Sequence, residues 1–393
     1  MALFKLFKKA SRILLSKVYS YIPKKENIWL FGSGGTFCDN SKYLYLYIIN
    51  NHKSINAIWI AKNRDELKIL KEKGYKAYHK YSCQGILSQL IADKVFYSNY
   101  IRDFWWILII GSTKVNLWHG IGVKRIEFNL KDGPIAHIFN GSLKSKIMYY
   151  PHYVKPDYML SSSEYISTNV FKDAFRLEDN QLLNYGYPRC EYLLSPEKFN
   201  NKLSTKILSN REIIKKYRHT YLYVPTWRST NKNFFSEIFY DLDLLNEVCK
   251  KNNDFFCIKL HFNTPGIEEL AQKDFSNLLF LDRKTDLYEY LDLFSCIITD
   301  YSSIYYDFII QKNKKAILFP FDYSEYLQNE QSPIIPYYES ISGSVVHSFK
   351  ELTVLLEDYD KIEFVSPDIA KIFWGEVDKK SCSRIVSKMV KKD

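Results

Sequence analysis

No stretch of this 393-residue chain is both long and apolar enough to cross a bilayer. The longest apolar run, Phe104 to Ile110, ends after seven residues, whereas a spanning helix needs about 20, so a buried element is expected there. A secretory signal is also missing, because lysines interrupt the early apolar residues and no small-residue cleavage site follows. The seven cysteines form neither a CxxC pair nor a zinc-like Cys/His cluster, and their odd number fits reduced thiols in a cytosolic setting. Glycine is scarce, with 14 residues, and there is no repeat or low-complexity tract. With 46% hydrophobic and 25% charged residues, the composition is globular and excludes extensive disorder. No RNP-like, helix-turn-helix or zinc-finger pattern is present, which argues against nucleic acid as a partner. The 32 tyrosines and 26 phenylalanines carry no functional weight by themselves.

Acidic residues are absent from residues 1–25, which hold Lys5, Lys8, Lys9, Arg12, Lys17, Lys24 and Lys25. Those seven cations leave only +4 of the net +11 for the remainder. On a helical wheel Leu3, Phe4, Phe7, Ala10, Leu14 and Val18 share one face, and Lys5, Lys8, Lys9 and Arg12 gather opposite. Lys17 falls on the apolar side and must snorkel. Such a helix suits the surface of an anionic membrane; the alternative is a domain-packing helix with a solvated basic face. Residues 376–393, from Lys379-Lys380 to Lys391-Lys392, read as a basic tail that either adds to the same surface or aids solubility.

The length exceeds the usual size of one hydrophobic core, so two domains are expected. Short apolar runs alternate with helix-like segments, the pattern of parallel sheets covered by helices. Strands are expected at Ile28–Phe31, Ala57–Ala61, Tyr75–Tyr78, Lys94–Tyr97, Val115–Trp118 and Tyr158–Ser161. In the second half they recur at Tyr221–Pro225, Phe255–Leu260, Leu278–Leu281, Cys296–Thr299 and Ala316–Phe319. The result is an α/β chain of two doubly wound halves, 26–200 and 201–375, with the break near Ser195–Ser209. Ligands of such sheets sit beyond the carboxyl ends of strands.

At those ends the chain places chemistry. One run leads into Trp118-His119-Gly120-Ile121-Gly122-Val123-Lys124-Arg125. His119 is a candidate base; Gly120 and Gly122 allow tight turns, and Lys124 and Arg125 supply cations for an anion. The bland reading is a hydrogen-bonded structural histidine before a basic turn. Another run meets Thr226-Trp227-Arg228-Ser229, where a guanidinium fork suits a phosphate or pairs with an interdomain carboxylate. A third ends at Lys259-Leu260-His261-Phe262-Asn263, a second strand-end histidine, 142 residues after the first. The fourth enters Thr299-Asp300-Tyr301-Ser302-Ser303, where Ser302 or Ser303 can cap a helix whose free N–H groups suit a diphosphate. Three roles stay open for Asp300: orienting a donor hydroxyl, holding a histidine, or capping the turn. No metal-ligand constellation is visible, although a diphosphate donor can bring Mg²⁺ with it.

In this order, Trp118-His119-Gly120 with Lys124, Pro225-Thr226-Trp227-Arg228, Lys259-Leu260-His261 and Thr299-Asp300-Tyr301-Ser302-Ser303 resemble the CDP-glycerol glycerophosphotransferase family, which includes teichoic acid primases and polymerases and related capsule polymerases. Trp29-Leu30-Phe31-Gly32, Asp39-Asn40-Ser41-Lys42-Tyr43-Leu44-Tyr45 and Asn184-Tyr185-Gly186-Tyr187-Pro188-Arg189 extend the likeness, which spans about residues 26 to 330. Two departures stand out. Ile121-Gly122-Val123 follows His-Gly where the family commonly has Thr-Pro-Leu, and Phe262 follows His261 where proline is usual.

The resemblance implies a GT-B fold of two Rossmann-like domains with the active site in their cleft. It also implies attack by an acceptor hydroxyl on the β-phosphorus of a CDP-polyol, with release of CMP. His119 would be the general base and His261 would contact the donor diphosphate. Arg228 would neutralise phosphate, with Thr226, Lys259, Asp300, Ser302 and Ser303 on the donor side and Gly120, Lys124 and Arg125 on the acceptor side. Expected partners are a CDP-polyol, glycerol before ribitol, a lipid-linked or glycan acceptor, and an anionic membrane at its cytoplasmic face. The sequence requires no cofactor, although the diphosphate donor can bring Mg²⁺ with it, and the length leaves no room for a further polymerase or glycosyltransferase domain. Two other readings compete: a GT-B glycosyltransferase using a CMP-sugar or other nucleotide sugar, and a noncatalytic scaffold of a surface-polymer complex.

Overall fold

The computed structural model describes residues 2–131, 135–228, 233–261, 264, 273–329 and 334–390. The expected residues Ser229, Phe262, Asn263, Lys391 and Lys392 lie outside that range, as does the side chain of Leu3. The chain divides into two compact units, residues 1–202 with 375–393, and residues 203–374.

The first unit is built on β1 (Lys25–Gly32), β2 (Asn56–Ala61), β3 (Ala77–His79), β4 (Ala92–Tyr97), β5 (Thr113–Asn116), β6 (Tyr158–Ser161) and β7 (Leu182–Asn184). All pair in parallel, in the order β3-β2-β1-β4-β5-β6-β7. Their apolar runs are continuous because helices cover both faces: Leu30, Phe31, Ile58, Trp59, Val95 and Phe96 are all buried. Phe104 and Ile107–Ile109 are also buried, within a turn-rich link between β4 and β5.

The second unit repeats the design with β8 (Thr220–Tyr223), β9 (Phe255–Ile258), β10 (Leu278–Phe280), β11 (Cys296–Thr299), β12 (Lys315–Leu318) and β13 (Ser344–Val345). The order is β10-β9-β8-β11-β12-β13, again parallel. In each sheet the winding reverses once, between β1 and β4 and between β8 and β11. A doubly wound sheet opens its ligand crevice at that reversal.

The carboxyl terminus departs from its expectation, and the amino terminus does so only at Lys9. Ser381–Val390 is a helix of the first unit, not a solvated tail. Cys382, Ile385, Val386 and Met389 are buried, and their helical spacing was hidden among lysines. The helix Ala2–Ser20 packs beside the helix Leu143–Met148, but its apolar stripe is not the side it buries. Ser16 is fully buried and Leu6 and Ile13 half-buried, whereas Phe4, Phe7, Leu14 and Val18 are 64–72% exposed. Lys5, Lys8 and Arg12 are exposed along one flank of that stripe and Lys17 on the other. Lys9, expected among the outward cations, turns towards the body, where burial and the charges of Arg12 and Arg102 lower its pKa.

Candidate active site

The strand expected to run through Trp118 ends two residues earlier, at Asn116. Trp118 has φ +51°, a left-handed conformation that costs a bulky residue about 1–3 kcal/mol. Side chains hold it there: Trp118 N–H donates to Asn116 Oδ1 (2.9 Å), and Asn40 Nδ2 donates to the carbonyls of Leu117 (3.0 Å) and Trp118 (2.9 Å). The reversal throws His119 past the end of the sheet, with its exposed ring 4.2 Å from the Trp118 ring, centroid to centroid.

His119 Nδ1 lies 2.9 Å from the carbonyl oxygen of Ser98, just beyond β4. A carbonyl only accepts, so Nδ1 carries the proton and a neutral ring presents a bare Nε2. The Ser98 hydroxyl is itself held by Ser41, at 3.0 Å from its backbone nitrogen and 2.8 Å from its Oγ. One side of the residue is open to solvent, but the protein crowded around the ring desolvates it and lowers the imidazole pKa; Asp39 and the Ser98 hydrogen bond oppose the shift, and Arg189 adds to it. The ring is therefore neutral near pH 7, the form a general base requires.

The backbone after Trp118 is fixed from another direction. Arg189 Nη1 donates to the His119 carbonyl (2.7 Å) and to Asp39 Oδ1 (2.7 Å), and the Tyr187 hydroxyl donates to the Gly120 carbonyl (2.9 Å). Asp39-Asn40-Ser41 and Tyr187-Pro188-Arg189 thus support one histidine. Ser98 and Asn116, which also hold this turn, were given no role from the sequence, because a neutral hydroxyl or amide carries no charge or acid-base chemistry to single it out. The turning role expected of Gly120 and Gly122 falls to Trp118, since neither glycine is left-handed. A Cβ on Gly122 would stand 2.7 Å from Val170 and 3.1 Å from Phe171, so that glycine serves close packing on the π-helical turn Ser167–Phe171. Lys124 and Arg125 are half-buried in the loop beyond it.

In the second unit the reversal between β8 and β11 brings the expected strand-end motifs together. Asp300 is 3% exposed; its Oδ1 accepts from the N–H groups of Thr226 (2.8 Å) and Tyr301 (2.6 Å). Its Oδ2 accepts from Arg228 Nη2 (2.7 Å). Arg228 is 2% exposed and also donates from Nε to Asp322 Oδ2 (2.6 Å), from Nη2 to Asp322 Oδ1 (2.9 Å) and from Nη1 to the Thr226 carbonyl (2.6 Å). The rings of Phe234, Tyr301, Phe321 and Tyr326 surround its guanidinium at 5.1–5.5 Å. Burial would discharge it, but Asp300 and Asp322 overcome that and raise its pKa further. Of the two partners that its sequence position left open, phosphate or carboxylate, the structure shows carboxylates, both from the second unit itself; Arg228 ties together the loops after β8, β11 and β12.

Other polar groups lie close to this frame in the chain. Thr226 Oγ1 and Trp227 Nε1 are buried without a hydrogen-bond partner among the described residues. Ser303 occupies the cap position of the helix Ile304–Phe308 but makes no side-chain cap bond, so the capping expected of the serines is not taken up. Ser302 and Ser303 are half-buried. His261 is open to solvent on one side, with its ring 5.8 Å from that of Trp227; partial desolvation by the surrounding protein, and Lys259, lower its pKa. Lys259 Nζ donates to the Arg283 carbonyl (2.7 Å).

The family model for CDP-glycerol:poly(glycerophosphate) glycerophosphotransferase matches residues 14–391. The teichoic acid glycerol-phosphate transferase of Staphylococcus aureus is 24% identical over 357 residues, covering 88% of this chain and 87% of its own. The teichoic acid poly(glycerol phosphate) polymerase of Staphylococcus epidermidis is 23% identical over 387 residues, which are 94% of this chain and 51% of the polymerase. The chain thus spans about half the length of that polymerase. In fold it is similar to the wall teichoic acid polymerase TagF, with a TM-score of 0.73 at 20% identity, covering 99% of this chain and 97% of the other. A UDP-GlcNAc 2-epimerase of Methanocaldococcus jannaschii is similar at a TM-score of 0.51 and 14% identity, over 92% and 99% of the two chains. With two parallel doubly wound sheets and a family match across nearly its whole length, the chain belongs to the CDP-glycerol:poly(glycerophosphate) glycerophosphotransferase family.

Proposed function

We propose that this chain transfers a polyol phosphate, glycerol phosphate before ribitol phosphate, from its CDP carrier to a hydroxyl of a lipid-linked or glycan acceptor in bacterial teichoic acid or capsule-type polymer synthesis. The acceptor oxygen bonds to the β-phosphorus as the bond to the bridging oxygen breaks. The hydroxyl proton passes to His119 Nε2, and the electron pair leaves with CMP. The observation that carries this reading is the Nδ1 contact of His119 with the Ser98 carbonyl, which leaves Nε2 free as a base. Phosphoryl transfer otherwise depends on positioning and charge stabilisation. Thr226, Trp227, His261, Ser302 and Ser303 supply donors for the diphosphate, and Lys259 adds positive field. Gly120, Lys124 and Arg125 belong to the acceptor side, while Arg228 and Asp300 shape the donor loops from behind. Mg²⁺ enters this reading only as a counterion of the donor diphosphate. The purified protein with an acceptor is expected to release CMP from CDP-glycerol, and more slowly from CDP-ribitol. Turnover confined to CMP-sugars would sink the proposal.

The same reading places the protein at the cytoplasmic face of the membrane through its first helix. Support comes from the exposed Phe4, Phe7, Leu14 and Val18 between cationic flanks, an arrangement suited to acyl chains below and anionic headgroups beside. Phe4→Ser/Phe7→Ser is expected to reduce binding to anionic vesicles at least tenfold in a sedimentation assay. Equal binding by the variant would move the membrane contact elsewhere.

A further inference from the structure

At the amino-terminal ends of β1, β2 and β3, the opposite edge of the first sheet from His119, a cavity of about 530 Å³ opens beside His52, Lys53, Lys76 and Lys202. Tyr45 and Tyr75 back it, and no carboxylate lines it. The three ammonium groups are held by neutral acceptors. Lys53 Nζ donates to the Ile49 carbonyl (2.5 Å), Lys76 Nζ to Asn56 Oδ1 (2.6 Å) and Lys202 Nζ to the Lys73 carbonyl (2.6 Å). None of the three forms an ion pair with a described residue. The Tyr75 hydroxyl donates to the Asn200 carbonyl (2.7 Å) and accepts from the Lys202 N–H (3.0 Å), which fixes the segment carrying Lys202 against the sheet. The cations are thus gathered around one concavity without internal neutralisation. Elsewhere on this unit, lysines such as Lys114 and Lys172 pair with aspartates.

A concavity with several fixed positive charges and no acid recognises a multiply charged anion with oxygen acceptors. Its distance from the catalytic edge excludes the reacting phosphate as its ligand. We propose that this cavity binds phosphodiester groups of an anionic polyol chain, a second grip on the polymer remote from the site of transfer. The identity of the anion rests on the reaction proposed above; the existence of the site does not. A polyanion tethered at two points gains effective concentration at the reacting end, even when the second contact is weak.

The test is equilibrium binding of a defined glycerophosphodiester oligomer to the full chain without donor, with inorganic phosphate and anionic vesicles as parallel probes. The wild type is expected to bind the oligomer in low salt and lose it as ionic strength rises. Lys53→Ala/Lys76→Ala/Lys202→Ala is expected to weaken binding at least tenfold, while CMP release with a short soluble acceptor stays unchanged. Lys53→Glu alone, at an exposed position, is expected to weaken binding in the same direction and guards against a folding defect in the triple variant. Three results would overturn the assignment. They are failure of the wild type to hold the oligomer, equal binding by the triple variant, and a loss confined to phosphate or to vesicle binding when the lysines are removed. Because the binding measurement contains no donor and involves no turnover, its failure is separate from failure of the transfer reaction.

Discussion

His119→Ala is expected to lower kcat by about 10²–10⁴-fold while leaving the affinity for CDP-glycerol within a few-fold of wild type. The size follows from the role. A general base contributes that much to proton transfer, and the ring makes no bond on which the fold depends except the one to the Ser98 carbonyl. The carbonyl can exchange that partner for water, because the ring position is open to solvent. His119→Gln is a sharper variant, since its amide can keep a donor near Ser98 but cannot take up a proton. Both variants are expected to retain the wild-type unfolding midpoint. If either turned over at the wild-type rate, His119 would lose the base role.

The pH profile supplies an independent reading of the same residue. The base must be deprotonated, and desolvation with Arg189 nearby lowers the His119 pKa from its ordinary 6.5. Activity is therefore present above that lowered value and lost as the pH falls through it, so the acid limb of kcat/KM lies below 6.5. Asp39→Asn removes the carboxylate that favours the imidazolium and frees Arg189 Nη1 from its ion pair. Both changes depress the pKa, so the limb is expected to move to still lower pH.

Much of the frame was legible because its signal is local. Ile28–Phe31, Tyr158–Ser161 and Cys296–Thr299 are apolar runs between polar segments, and a parallel strand buried on both faces leaves that trace. β7 and β13 left none: Leu182-Leu183-Asn184 and Ser344-Val345 are too short and too polar to register, and pairing with longer neighbours makes them strands. His119 and His261 were legible as polar residues at the ends of such runs. The conformation of Trp118 was not, since side chains from Asn40 and Asn116 impose it against the preference of the residue itself. Arg228 shows the same limit more sharply. Beside Thr226 and Trp227 it reads as a phosphate clamp, and only the fold brings Asp322, 94 residues away, to its Nε.

That reassignment has a large consequence for stability. Arg228→Met is expected to destabilise the second unit by about 3–5 kcal/mol, because it leaves the buried Asp300 and the half-buried Asp322 near each other without their counter-charge. Against a total of about 5–15 kcal/mol for a folded domain, the loss would appear as a much lower denaturation midpoint. Arg228→Lys is expected to recover little, since a single ammonium cannot reach both carboxylates in the geometry of a planar fork. Pairing Arg228→Met with Asp322→Asn should restore part of the loss by removing one orphaned charge, and the cycle reads the coupling directly. A phosphate clamp predicts the reverse pattern: an unchanged midpoint and a large fall in donor affinity, with Arg228→Lys partly active. An Arg228→Met protein that unfolds at the wild-type denaturant concentration would therefore return the guanidinium to the donor and leave Asp300 in need of another explanation.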